Sequence, residues 1–310
     1  MSQIKITAAI CTHNRAADVA ACLDALMAQL SPEKAACIEV ILCDSASSPE
    51  HRGGVAALAA RHPSVAFFRL DEPGVALARN ELLRRAHGKW FALIDDDAVP
   101  APDWTDVALD LADKVGEEFA IVGGRVNPVM PLNPPADAVG PSVMGPRWMQ
   151  LVSAVQLQGE FDQTDAPKVV GANMWFRPGP LREIGGFPQN LGRIGASLLS
   201  GEDKLPVHML LERGWRIWYS DRLKVGHKVH GERLTKRWAA HRSYFDGVSD
   251  RRIARMLRKR ISPGYSFIIA LKMAALAPLY AVPSPKHEFF LRFWYDLGWL
   301  HETLLPRPTP

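Results

Sequence analysis

An apolar run ends in three carboxylates at Trp90-Phe91-Ala92-Leu93-Ile94-Asp95-Asp96-Asp97. The aromatic and branched side chains predict a buried strand, and the acidic residues predict the point where it ends. Asp95 and Asp97 are two positions apart, so their side chains point the same way on an extended chain. Two such carboxylates repel each other unless a cation or solvent compensates them, and Mg²⁺ and Mn²⁺ prefer oxygen ligands. The motif therefore predicts a metal that bridges a pyrophosphate, and its alternative is an acidic loop exposed to water.

Three more strands and three helices are predicted before this run. The strands are expected at residues 4–11, 38–43 and 65–70, and the helices at residues 18–30, 54–61 and 75–86. Asp18 is expected to cap the first helix. The alternation predicts an α/β fold with a mostly parallel sheet flanked by helices. Ligands of such sheets bind at the carboxyl ends of the strands.

Polar residues occupy these predicted strand ends, and we expect them to converge on one crevice. Thr12, Asn14 and Arg15 follow the first strand, and Asp44 follows the second. Asp44 either accepts a hydrogen bond from a nucleobase or ribose, or caps the Ser-rich loop after it. Arg79, on the helix before the acidic strand, either pairs with phosphate or an aspartate, or forms a surface ion pair.

The second half of the chain supplies further acids and histidines. A strand at 121–126 and an irregular Pro- and Gly-rich stretch at 127–146 precede regular structure at 168–176, a helix at 205–212 and a short strand at 215–219. Asn173 and Trp175 lie in this regular structure, and core packing is an equal alternative to a ligand contact for Trp175. Glu202 and Asp203 precede a helix, where carboxylates also serve as caps. His227 can complete a metal shell or serve a structural role.

The composition restricts the class of protein. The chain has 310 residues, 47% of them hydrophobic and 23% charged, with a formal net charge of +4, which suits a globular protein of one large or two modest domains. The four cysteines form no C-x-x-C pair, and no secretory signal is recognisable at the start. We therefore expect reduced cysteines and a cytoplasmic location, either free or peripheral at the inner face of the cell membrane.

A basic C-terminal part differs from the rest. Residues 222–260 contain thirteen Lys or Arg and three Asp or Glu, which indicates an anionic partner or a solvated surface. Residues 266–282 are apolar and interrupted by Lys272 and Pro278. Three alternatives remain open for that run: a membrane span, a helix at the membrane interface, or a buried helix.

The ordered motifs resemble glycosyltransferase family 2, whose members have the nucleotide-sugar-binding, Rossmann-like GT-A fold. The resemblance spans residues 4–247 and rests on AAICTHNR (8–15), VILCDSAS (40–47), GVALARN (74–80), FALIDDD (91–97), GANMWF (171–176), IGGF (184–187), GED (201–203) and VGHKV (225–229). Cys11 and His13 stand where proline and tyrosine are usual. Lys204-Leu205 replaces polar or acidic residues, and Met209 stands where arginine is common.

This resemblance implies an inverting, metal-dependent hexosyltransferase that uses a nucleotide-diphosphate sugar, with UDP favoured. It implies that Asp97, Asp95 and His227 bind Mn²⁺ or Mg²⁺, and that Asp203 is the catalytic base. Asp44 is expected to contact the base of the nucleotide donor, and the other candidates for binding that donor are Thr12, Asn14, Arg15, Arg79 and Asp95. The candidates for the sugar and acceptor pocket are Asn173, Trp175 and Glu202. The acceptor is expected to be a glycan or lipid-linked hydroxyl in cell-surface polysaccharide or glycolipid assembly. The implied domains are a GT-A domain at 1–247, with a nucleotide part at 1–126 and an acceptor part at 168–247, and a helical extension at 248–310.

Other classes are less compatible with the sequence. A sugar nucleotidyltransferase needs a Gly-rich loop after the first strand, and residues 11–15 contain no glycine. A dehydrogenase needs a G-x-G-x-x-G turn, which is absent from the sequence. A basic module without catalysis, bound to a membrane or to nucleic acid, leaves Asp44, Asp95, Asp97 and Asp203 unexplained. We therefore expect no nucleic-acid partner.

Overall fold

The computed structural model describes residues 4–193, 198–259, 263–281 and 287–305. Its strands are β1 (Ile6–Thr12), β2 (Ile38–Ser45), β3 (Val65–Leu70), β4 (Trp90–Asp95), β5 (Ala98–Pro100), β6 (Phe119–Val129), β7 (Glu160–Asp162), β8 (Asn173–Phe176) and β9 (Arg216–Lys228). Its α-helices are α1 (Ala16–Met27), α2 (Pro32–Ala35), α3 (Pro49–Arg61), α4 (Val75–Arg85), α5 (Trp104–Lys114), α6 (Pro146–Leu151), α7 (Pro178–Glu183), α8 (Lys204–Glu212), α9 (Lys236–Met256), α10 (Pro263–Ala281) and α11 (Glu288–Leu304).

The described strands form one mixed sheet in the order β3-β2-β1-β4-β8-β6-β9-β5, and β7 pairs with β9. The first four strands in this order are parallel, as the sequence predicts. β8 is antiparallel to both β4 and β6, and β5 and β7 are antiparallel to β9. The mostly parallel character is therefore confirmed for the N-terminal part of the sheet.

Alternating side chains place a core on each face of this sheet. Ile6, Ala8 and Ile10 of β1 pack with α1, α3 and α5, whereas Ala9 packs on the other face with α4, α7 and α8. Parallel strands buried on both faces are continuous apolar runs, which is why the sequence reveals them readily. The two helical layers hold the strand ends of the sheet in fixed positions.

Two details of the predicted elements are wrong. Asp18 does not cap α1, because the helix begins at Ala16 and Arg15 occupies the N-cap position, where its side chain makes no cap hydrogen bond to the helix. The Asp18 carboxylate instead pairs with the ammonium group of Lys228. β9 is also thirteen residues long, far beyond the predicted strand at residues 215–219.

The chain folds into two compact units. The first comprises Met1–Val129, Ala154–Gln189 and Asp203–Lys228, and the second comprises Met130–Ser153, Asn190–Glu202 and Val229–Pro310. All nine described strands belong to the first unit, and α6, α9, α10 and α11 belong to the second. The predicted domain boundary after residue 247 falls inside α9, and the domain division stays a prediction.

The C-terminal helices of the expected extension are present. Over the described residues, none of the helices combines the length and apolar character needed to cross a bilayer. The predicted apolar run at residues 266–282 coincides with α10, except that Val282 lies outside the described residues.

Two glycines allow α9 and α11 to pack closely. A Cβ added to Gly298 would collide with the backbone oxygen of Tyr244, and one added to Gly247 would collide with Tyr295. We expect Gly298→Ala to lower the free energy of unfolding by about 1–3 kcal/mol, because the backbones must separate. Circular dichroism during urea unfolding measures the effect. The control is Gly53→Ala in α3, which has nothing within 4 Å and should be neutral or stabilising. Equal stability of Gly298→Ala and the parent would contradict the prediction.

Candidate functional site

Three potential metal ligands meet where β4 ends. Ligand atoms of Asp95, Asp97 and His227 all lie within 4.8 Å of one another. His227 reaches this place because β5 pairs with β9 and sets Ala98 opposite His227. His227 Nε2 lies 3.0 Å from Asp97 Oδ1, and both side chains are buried. Two carboxylates and one imidazole form a donor set that fits a divalent cation.

The middle carboxylate, Asp96, makes different contacts. Thr12 Oγ1 donates a hydrogen bond of 2.7 Å to Asp96 Oδ2. Arg15 Nη1 lies 3.1 Å from Asp96 Oδ1 and 3.1 Å from Asp97 Oδ2. Burial raises the pKa of Asp96 to about 6, against the opposing effect of the Arg15 charge. Thr12 and Arg15, predicted to bind the donor, thus contact the acidic loop itself.

Asp44 lies at the end of β2 and is fully buried. Its Oδ1 accepts a 3.0 Å hydrogen bond from the backbone N–H of Ser47, so it does cap the following loop. Its Oδ2 has no hydrogen-bond partner among the residues that the structure describes, and Arg69 Nη1 lies 3.6 Å away. A buried carboxylate oxygen without a donor is costly, so this atom is suited to a donor from a ligand.

Asn14 joins the loops that follow β1 and β2. It has a left-handed backbone with φ of 57°, which asparagine tolerates better than most residues. Its Oδ1 accepts from the Ser48 N–H at 2.7 Å, and its own N–H donates to Ser47 Oγ at 2.9 Å. The side chain that was predicted to bind the donor therefore holds the loop beside Asp44.

Arg79 and Gly171 connect the acidic cluster to Asp203. Arg79 Nη2 lies 3.0 Å from Asp95 Oδ1, and the Arg79 side chain is only 4% exposed. The Gly171 N–H donates a 3.0 Å hydrogen bond to Asp203 Oδ2. A Cβ on Gly171 would lie 2.6 Å from Arg79 Nη2 and 3.1 Å from Asp203 Oδ2, so both side chains lie against this glycine. The sequence predicts no role for Gly171. The only feature that marks this position is that its residue is a glycine, which allows a close approach of side chains.

Asn173 and Trp175 do not line a crevice, which corrects their assignment to a sugar and acceptor pocket. Both side chains have no exposed surface. The Asn173 amide donates to the backbone oxygens of Arg125 and Leu223, at 3.2 and 2.9 Å. Trp175 belongs to the core cluster of one sheet face, where it packs against two other tryptophans. Both side chains are thus engaged within the sheet and its core.

Glu202, the remaining acceptor candidate, precedes Asp203 directly in the chain. Its side chain is buried, and the residue is assigned to the second compact unit. Asp203 itself is half-buried and occupies the N-cap position of α8 without a side-chain cap hydrogen bond. Capping therefore does not account for the Asp203 carboxylate.

The mixed sheet, its two helical layers and the acidic strand end agree with the expected GT-A fold. The sequence model of glycosyl transferase family 2 matches residues 7–184, and the chain belongs to this family.

Known proteins with related sequences or structures agree with this class. The glucosyl-dolichyl phosphate glucuronosyltransferase of Haloferax volcanii is 26% identical over 184 residues, which are 58% of this chain and 56% of that relative. The match thus spans little more than half the length of the relative. The mannosyltransferase PcManGT from Pyrobaculum calidifontis, solved with GDP-Man and Mn²⁺, has a TM-score of 0.62 and 19% identity over 99% of this chain and 88% of its own. GalNAc-T7, solved with UDP, GalNAc and Mn²⁺, has a TM-score of 0.55 and 13% identity, over 99% and 59% of the two chains.

Proposed function

We propose that this protein is a metal-dependent, inverting hexosyltransferase. It would move a sugar from a nucleotide-diphosphate donor, with UDP favoured, to a hydroxyl of a glycan or lipid-linked acceptor in cell-surface polysaccharide or glycolipid assembly. The observation that carries the proposal is the position of Arg79. It pairs with Asp95 of the acidic cluster and lies with Asp203 against Gly171.

The residues of the site suit the separate parts of this reaction. Asp95, Asp97 and His227 would hold the divalent cation, which supplies Lewis-acid stabilisation of the charge on the leaving diphosphate. Asp203 would accept the proton of the acceptor hydroxyl as its oxygen bonds to the anomeric carbon and the bond to the diphosphate breaks. A single displacement of this kind inverts the anomeric centre.

The structure constrains the identity of the donor's nucleobase and sugar less than it constrains the roles of the site residues. Asp44 Oδ2 would accept a hydrogen bond from a nucleobase N–H, a group that uracil and guanine both offer. The structural neighbours were solved with GDP-Man in one case and with UDP and GalNAc in the other. The Haloferax relative carries dolichyl phosphate in its name, which supports a lipid-linked acceptor. UDP remains our preferred nucleotide because of the family resemblance.

Calorimetric titration of the purified protein with UDP, GDP and dTDP, in Mn²⁺ and then in EDTA, tests the donor site. We expect one nucleotide to bind in Mn²⁺, with affinity falling at least about tenfold in EDTA, because without a cation the carboxylates of Asp95 and Asp97 would repel the diphosphate. Mg²⁺ added after the EDTA step should restore binding. Equal affinity in Mn²⁺ and EDTA would refute metal dependence, and no binding of any nucleotide would refute the donor site.

A further inference from the structure

The helix α10 exposes several large apolar residues in the part whose side chains the structure describes. Phe267, Ile268 and Leu271 are 64%, 60% and 53% exposed. Together with the exposed Ala274 and Ala275, they recur at the spacing i, i+1, i+4, i+7 and i+8, which places all five on one face of the helix. We call this face, residues 267, 268, 271, 274 and 275, the α10 stripe. An ordinary surface helix would direct such a stripe toward the core.

The opposite side of α10 is already covered. Ile269 is 5% exposed and Met273 is partly buried, in a helix that packs against α11. The helix thus has one apolar side that packs within the protein and a second apolar side that is exposed to solvent. Exposing Phe267, Ile268 and Leu271 to water is energetically unfavourable, and a binding partner that covers them would remove this cost.

The basic residues that flank the α10 stripe in the chain indicate an anionic partner. Residues 251–287 contain eight Lys or Arg and no Asp or Glu, and two of these arginines, Arg252 and Arg255, pair with Glu302 of α11. Arg258 and Lys259 precede the helix and are exposed, and Lys272 is exposed beside Leu271. Exposed apolar side chains flanked by basic residues are the pattern of helices that lie at the surface of an anionic bilayer.

Other partners fit this surface less well. A second copy of the chain would bring two basic segments together, and like charges would oppose that contact. Nucleic acid would match the charge but would leave the apolar side chains uncovered. A bilayer covers both, because its acyl boundary receives the apolar residues while its phosphates meet the cations.

We propose that the α10 stripe docks this protein on an anionic lipid surface. Lipid-linked acceptors reside at such surfaces, but the docking does not depend on the transferase activity. The stripe and its charges lie within the second compact unit. Binding to lipid and binding of nucleotide are therefore separate properties with separate tests.

Flotation of the full-length protein with phospholipid vesicles tests the proposal. We expect recovery with vesicles of phosphatidylcholine containing about one third phosphatidylglycerol, and at least about tenfold less with pure phosphatidylcholine. Phe267→Ser/Ile268→Ser should weaken binding to the anionic vesicles at least about tenfold, because both residues are apolar anchors. Arg258→Glu/Lys259→Glu should weaken it similarly and reduce its dependence on salt.

The matched control is Leu132→Ser, which removes an apolar side chain that is 98% exposed and lies elsewhere in the second unit. It should bind vesicles as the parent does. Circular dichroism and size-exclusion chromatography verify that each variant folds. Equal flotation of the parent and Phe267→Ser/Ile268→Ser would overturn the proposal, as would failure of the parent to bind anionic vesicles at low salt. A parent dimer that Phe267→Ser/Ile268→Ser dissociates, without vesicle binding, would assign the stripe to a contact between copies.

Discussion

Replacing Asp203 with asparagine is expected to lower kcat for sugar transfer by about a hundredfold to ten-thousandfold, the range of general base catalysis. The amide cannot accept the proton of the acceptor hydroxyl, whereas its oxygen can still accept the hydrogen bond from the Gly171 N–H. The substitution also removes no helix cap, because the Asp203 side chain makes no cap hydrogen bond. The variant should therefore fold and bind nucleotide with unchanged affinity. Transfer kinetics and nucleotide titration on the same preparation measure the two properties.

Asp106→Asn is the matched control for this experiment. Asp106 forms an ion pair with Lys34, and its side chain is 65% exposed. Its transfer rate should equal that of the parent. If Asp203→Asn transfers sugar at the parental rate, Asp203 is not the base, and the proposed mechanism fails even if nucleotide binding persists.

Local patterns are sufficient to predict the part of the fold that carries the acids. β3 covers the predicted residues 65–70, and β4 extends the predicted strand by one residue to Asp95. The parallel register then sets Thr12 opposite Asp44, and Cys11 opposite Asp95. The convergence of these strand ends follows from the general geometry of parallel sheets. Sequence reasoning can therefore bring Asp44 and Asp95 to one edge without knowledge of the structure.

Long-range pairing accounts for what the sequence does not reveal. The antiparallel insertion of β8 between β4 and β6 depends on partners that are far apart in the chain. This insertion buries Asn173, whose amide satisfies the backbone oxygens of Arg125 and Leu223. In the sequence, an asparagine two residues before a tryptophan resembles a sugar-binding pair. Only the tertiary structure shows that the amide is occupied by the sheet.

The α10 stripe is a different case, because the sequence leaves three alternatives for one apolar run. A buried helix, an interfacial helix and a membrane span share the same composition. The exposure of Phe267 and Ile268, beside the buried Ile269, distinguishes a two-sided helix from a wholly buried one. Hydropathy averages over both sides and cannot make this distinction.

Replacing Asp97 with alanine should abolish the dependence of nucleotide binding on Mn²⁺. The Asp97 carboxylate is buried between His227 and Arg15, with 3.0 Å to His227 Nε2 and 3.1 Å to Arg15 Nη1. Its removal takes one anionic ligand from the cluster and leaves the charge of Arg15 less balanced. We expect transfer to fall at least about a hundredfold, because the leaving diphosphate loses its electrostatic stabilisation. Titration with nucleotide in Mn²⁺ and in EDTA, beside transfer kinetics, measures both effects.

Asp96→Asn separates the metal ligands from the rest of the acidic motif. Asp96 accepts from Thr12 and Arg15 and is not one of the three clustered ligands, and asparagine retains an oxygen for Thr12. The loss of transfer activity in Asp96→Asn should be at least about tenfold smaller than that in Asp97→Ala. The side chains of Asp95 and Asp97 point the same way on an extended chain, whereas that of Asp96 points the other way. If Asp96→Asn instead loses more transfer activity than Asp97→Ala, and Asp97→Ala still binds nucleotide in a Mn²⁺-dependent way, then Asp96 and not Asp97 is the metal ligand. The outcome therefore decides which carboxylates of the triple-acid strand end bind the cation.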